Sequence, residues 1–151
     1  MPTLVWHGLE EPRMEIAYVE VDGGDLRARG TQIGVAYELR YELSESLLAL
    51  EVVGEVTREV PLDADFFDLG SSPLFNSLPV RRDGLHRGGS PRDYRMTWVS
   101  VPDLAVTTAE QRYEPLAPGL VRFRSEGFTA DLELDDDGFV VRYPDLAERV
   151  S

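Results

Sequence analysis

The sequence predicts an all-β fold, an antiparallel many-stranded barrel or half-barrel with little helix, and three observations carry that expectation. Apolar residues recur at every second position in several segments, which places them on one face of a pleated strand. Turn-forming Gly, Pro and Asp-Gly pairs separate these segments at short intervals. No long stretch shows a helical apolar period, so the strands have to supply the architecture.

Taken in order, residues 13–21 read as a strand, closed by Gly23-Gly24. In 33–43, Ile33, Val35, Tyr37, Leu39, Tyr41 and Leu43 alternate with mainly polar residues, which predicts one strand with a wet face. Residues 46–53 and 55–62 follow as strands around Gly54; the SESLLALE stretch at 44–51 has a helical alternative, and strand is preferred. The segment 68–92 carries Pro73, Pro79 and Pro91 with Gly84, Gly88 and Gly89, and reads as a long structured loop or irregular edge. Strands resume at 93–101, 104–113 and 119–125. Phe128, Ala130, Leu132 and Leu134 then alternate with polar residues, Asp137-Gly138 supplies a turn, and Phe139, Val141 and Tyr143 resume, which predicts a hairpin. Residues 144–150 read as a short terminal helix or coil.

A chain of 151 residues, 42% hydrophobic, fits a single domain spanning 1–151. It has no cysteine, which excludes disulfides and thiolate metal sites. With no basic-apolar leader and no apolar window of about 18 residues, the expected setting is cytoplasmic, without a membrane span. A formal charge of −13 argues against a nucleic-acid partner. Against that background, residues 76–98 hold five arginines and two acids, a local net of +3. Arg81 and Arg82 are the adjacent pair, and a guanidinium fork suits phosphate or carboxylate oxygens. Pairing with neighbouring acids is the simpler role for any one of them. Asn76 offers a donor and an acceptor to a sugar hydroxyl, or ties down its own loop. Tyr94 and Trp98, on the following strand, complete the candidate ligand-binding set. Asp131, Glu133, Asp135, Asp136 and Asp137 lack calcium-loop spacing and read as a solvated face and turn. Only His7 and His86 are present and no catalytic motif occurs, so neither catalytic residue, metal nor cofactor is expected, and His86 in its Gly-rich surroundings is expected to be exposed.

The segment DLGSSPLFNSLPVRRDGL at 68–85 resembles the putative glycolipid-binding protein family, through Asp68-Leu69, Ser72-Pro73, Asn76-Ser77-Leu78-Pro79 and Arg81-Arg82. The resemblance continues around Trp98, QRYEPL at 111–116 and GFTADLELDDDGFVVRYP at 127–144; it departs at Phe66, where the family pattern has an acid. It implies a curved antiparallel sheet similar to lipoprotein-carrier half-barrels and an affinity for lipid-like or glycolipid-like molecules. The resulting expectation is non-enzymatic binding of an amphipathic molecule in an apolar groove. The alternative is an interaction or homodimerisation module with a packed interior.

Overall fold

The computed structural model describes residues 2–22 and 25–150. Its strands are β1 (Thr3–Gly8), β2 (Met14–Asp22), β3 (Asp25–Ile33), β4 (Glu38–Leu43), β5 (Leu47–Val52), β6 (Val56–Pro61) and β7 (Phe66–Leu69). A helix, α1 (Pro73–Asp83), precedes β8 (Arg92–Val99), β9 (Val106–Ala117), β10 (Leu120–Ser125), β11 (Phe128–Leu134), β12 (Val140–Tyr143) and β13 (Ala147–Arg149). All thirteen strands form one open sheet in the order β6-β5-β4-β3-β2-β1-β13-β12-β11-β10-β9-β8-β7. Two meanders therefore meet at a seam between β1 and β13, where Trp6 faces Arg149 and Gly8 faces Ala147. The half-barrel expectation holds.

One pair departs from the antiparallel rule, because β7 runs parallel to β8. Parallel neighbours need a crossover, and α1 is that crossover. It corrects the reading of 68–92 as a loop. Pro73 occupies the first turn, where no N–H is required, and Pro79 forfeits only its own bond to the preceding turn. The helix also lacks a polar side: Pro73, Leu74, Phe75, Asn76, Ser77, Pro79 and Val80 are all buried, so no amphipathic period marks it.

The inward faces of both meanders close on α1. Leu74 and Phe75 pack with Leu39, Tyr41 and Leu50 of the first meander, and the Phe75 and Tyr41 rings meet edge to face at 5.5 Å. Val80 belongs to a second cluster with Tyr94, Tyr113, Phe123 and Leu132. Polar groups fix the helix from several directions. Ser72 Oγ donates to Glu15 Oε2 at 2.6 Å, Asn76 Nδ2 donates to Tyr113 Oη at 3.0 Å, and Ser77 Oγ accepts the Val140 N–H at 3.2 Å.

Three further expectations change. The strand over 33–43 is broken, since Ile33 ends β3, the Gly34 N–H bonds to the Tyr37 carbonyl at 3.0 Å, and Val35 is 82% exposed. Residues 147–149 form a strand rather than helix or coil, because β1 offers them a free edge. His86 is buried at 7% exposure, pressed beneath the turn at Gly138. The turn assigned to Gly23-Gly24 lies outside the described residues.

Because Leu74 is fully enclosed between the meanders, Leu74→Ala is expected to cost about 2–5 kcal/mol. Chemical denaturation of the variant checks this, and a loss under 1 kcal/mol would show that the sheet does not depend on its filler.

Candidate functional site

The helix divides the concave side into two spaces. The larger, about 680 Å³, lies between the β4–β5 turn and β7, with Leu26, Leu43, Leu62, Phe66, Phe67 and Leu78 as apolar wall and Arg81 and Arg82 at its rim. Asp25, Ser44, Glu45, Ser46 and Asp65 complete the mouth. It exists because the chain crosses from one sheet edge, β6, to the other, β7, in only the few residues after Pro61. The two edges approach without sharing a ladder. Arg58 Nη1 reaches the Leu104 carbonyl at 3.1 Å and the Asp63 N–H reaches Thr97 Oγ1 at 3.1 Å, so the crossing is tied by single bonds.

The arginine pair splits in role. Arg81 is half-buried; it donates to the Asp137 carbonyl, and its guanidinium lies 4.5 Å from the Phe139 ring centroid. Burial lowers its pKa from the ordinary value, with Asp137 and Asp135 opposing that effect. A side chain at Gly138 would stand 2.9 Å from Arg81 Cγ and 3.0 Å from His86 Nδ1, and Gly138 has φ of 85°, so glycine is required for this clasp. Arg82 is exposed, stacks 4.3 Å from the Phe66 ring centroid and approaches Asp83 only at 3.9 Å. Its charge is available at the groove mouth.

On the other side of α1, near its first turn, is a pocket of about 280 Å³ lined by Asp68, Ser71, Asn76, Trp98, Gln111, Phe128 and Tyr143 among others. Its floor is a buried polar chain. Gln111 Nε2 donates to Asp68 Oδ2 at 2.6 Å, and the Tyr113 hydroxyl donates to Gln111 Oε1 at 3.2 Å while accepting from Asn76. Burial pushes the Asp68 carboxyl up to about 6, against the lowering effects of Gln111 and the Leu69 N–H. A second buried acid, Glu15, accepts from Ser72, Tyr41 and Gln32, the Tyr41 hydroxyl at 2.7 Å. Its pKa is raised by burial, and its partners make it an anchor for the helix start. Among the described residues, no three His, Cys, Asp or Glu side chains converge on a metal position.

The five candidate residues from the sequence therefore do not share one site. Arg81 and Arg82 line the groove, whereas Asn76 and Trp98 line the pocket. Tyr94 is a core residue, 6% exposed, whose hydroxyl donates to Asp83 Oδ2 at 2.5 Å. Asp68 and Gln111 stand in the sequence only within the segments that carry the family resemblance and not among the five candidates, although each interrupts an apolar rhythm on an inward parity, Asp68 within FFDL and Gln111 two before Tyr113.

The family model described as Putative glycolipid-binding matches residues 51–149. The crystal structure of a DUF1089 family protein from Pseudomonas aeruginosa superposes with a TM-score of 0.70 at 20% identity, covering 90% of this chain and 92% of that one. That likeness is one of fold. No curated protein matches the chain.

Asp68 also predicts a pH dependence. Its folded pKa of about 6 stands above the ordinary 3.8, so the cost of burying its charge is fully present above about pH 6 and is relieved as pH falls towards 4. Relative to Asp68→Asn, the natural protein is expected to gain stability across that interval, by on the order of a few kcal/mol. Denaturation of both proteins between about pH 7 and about pH 4 measures the difference. A constant gap would refute the assignment.

Proposed function

The chain belongs to the family of putative glycolipid-binding proteins, and from that premise we propose that it is a non-enzymatic binder of an amphipathic, lipid-like or glycolipid-like molecule. Its apolar part lies in the groove beside β7 and its head meets Arg81 and Arg82. The observation carrying this reading is the groove itself, a space of about 680 Å³ with an apolar wall of Leu26, Leu43, Leu62, Phe66, Phe67 and Leu78 and a charged mouth where Arg81 and Arg82 stand beside Asp25, Glu45 and Asp65. Each methylene it takes from water contributes about 0.8 kcal/mol before ordering costs. An exposed Arg82 on a ring platform then adds a charge-assisted contact for a carboxylate or phosphate.

The rival reading, a pairing module, draws on the free edge of β6, where only Val60 is buried. That strand bears Arg58, Glu59 and Pro61, features that blunt edge pairing. The groove is therefore favoured over the edge.

Binding of the fluorescent fatty acid cis-parinaric acid tests the proposal, together with mass spectrometry of an organic extract of the purified protein. Arg82→Glu is expected to weaken parinaric acid about tenfold with little change in melting temperature, because Arg82 is exposed. Leu62→Trp, which projects bulk into the groove, is expected to weaken it similarly. Arg81→Ala is expected to lower stability, since it removes the clasp to the Asp137 carbonyl. An empty extract with no parinaric acid bound, or binding indifferent to both groove variants, would sink the reading.

A further inference from the structure

The pocket on the opposite side of α1 has a chemistry the groove lacks. Its walls carry four aromatic side chains, Trp98, Phe123, Phe128 and Tyr143, around a floor of Asp68, Asn76 and Gln111. Trp98 is half-buried and Phe128 is 46% exposed, so both rings present surface at the opening. The floor groups are held by one another, with the Gln111 amide on Asp68 at 2.6 Å and the Asn76 amide on Tyr113 at 3.0 Å. Those bonds use Asn76 through Nδ2; Asn76 Oδ1 and the Ser71 and Ser125 hydroxyls take no partner among the described residues. Both amides retain a further N–H for a guest.

Exclusion narrows the guest. No arginine lines this pocket, and Asp68 and Glu126 both do, which disfavours an anion. A purely apolar guest would cover the remaining amide N–H groups and Asn76 Oδ1 without giving them a partner, at a cost for each group. A cation site would need more ligands than converge here. What remains is a neutral molecule with an apolar face for the rings and hydroxyls for the floor. A pyranose has both, with C–H bonds on its faces and hydroxyls at its edge. The volume of about 280 Å³ lies near the lower end of small-molecule sites, roughly 300–1,000 Å³.

We infer that the pocket formed by Asp68, Asn76, Gln111, Trp98, Phe128 and Tyr143 is a second site, taking one neutral sugar ring or a cyclic polyol of that size. It is separate from the groove and does not rest on that reading. The sugar can be free or can be the head of a larger amphiphile, and the two sources share the same contacts.

The test is saturation-transfer NMR of methyl glucoside, methyl galactoside, methyl mannoside and myo-inositol, with tryptophan emission as a second readout. The chain has two tryptophans, and Trp6 is 1% exposed and bonded to the Val140 carbonyl, so a change in emission reports Trp98. At least one probe is expected to bind with a millimolar dissociation constant. Phe128→Ala, at an exposed ring, is expected to weaken it about tenfold, and Gln111→Leu to abolish it in protein that still melts cooperatively. Octyl glucoside separates the sources. Tighter binding than methyl glucoside that Phe128→Ala still weakens supports a glycolipid head; equal binding supports a free sugar. No saturable signal from any probe, or a signal unchanged in both Phe128→Ala and Gln111→Leu, overturns the inference. Parinaric acid binding is read independently, so failure here is distinct from failure of the groove.

Discussion

The structure depends on one constraint: a sheet of thirteen curved strands is too wide for its own side chains to meet across the middle. The helix Pro73–Asp83 fills that middle and gives both meanders something to pack against. Burying most of a helix requires its polar groups to find partners, and Ser72, Asn76 and Ser77 do so on three different strands. These bonds fix the position of the helix within the sheet. Both cavities follow from it, because each is the space left on one side of a cylinder inside a half-barrel.

Most strands were legible in the sequence because they have one wet face. The hairpins β4–β5 and β10–β11 kept a clean alternation, with Leu39, Tyr41 and Leu43 inward as expected. β3 did not, and the reason is physical. Its inward positions include Gly30, which makes room for the Tyr41 ring, and Gln32, which serves Glu15, so the apolar rhythm fades where the interior is polar or crowded. β7 and β13 are too short to show a period. The helix was hidden by its prolines and by the burial of nearly all of its residues up to Val80, with only its last turn reaching solvent.

The sites were legible to a lesser degree. The arginine pair stood out by charge, and the structure gives its members different tasks, one clasped to the Asp137 turn and one stacked at the rim. The polar floor was harder to find, since Asp68 and Gln111 come from strands far apart in the chain and meet only after folding. Asn76 joins them through Tyr113 rather than through its own loop. A carboxylate inside an apolar run was the available sign.

The seam between β1 and β13 has a consequence for how the molecule assembles. Every other neighbour in the sheet is also near in sequence, except the parallel pair that the helix bridges, so each meander can zip locally. The seam joins segments that are remote, as the bond from Trp6 Nε1 to the Val140 carbonyl across 134 positions illustrates. Its closure carries the largest loop entropy in the fold and rests on a strand of three residues. The molecule is thus two ribbons fastened by a short late stitch, and hydrogen exchange at the Val150 amide, bonded to the Val5 carbonyl, reports how often that stitch opens.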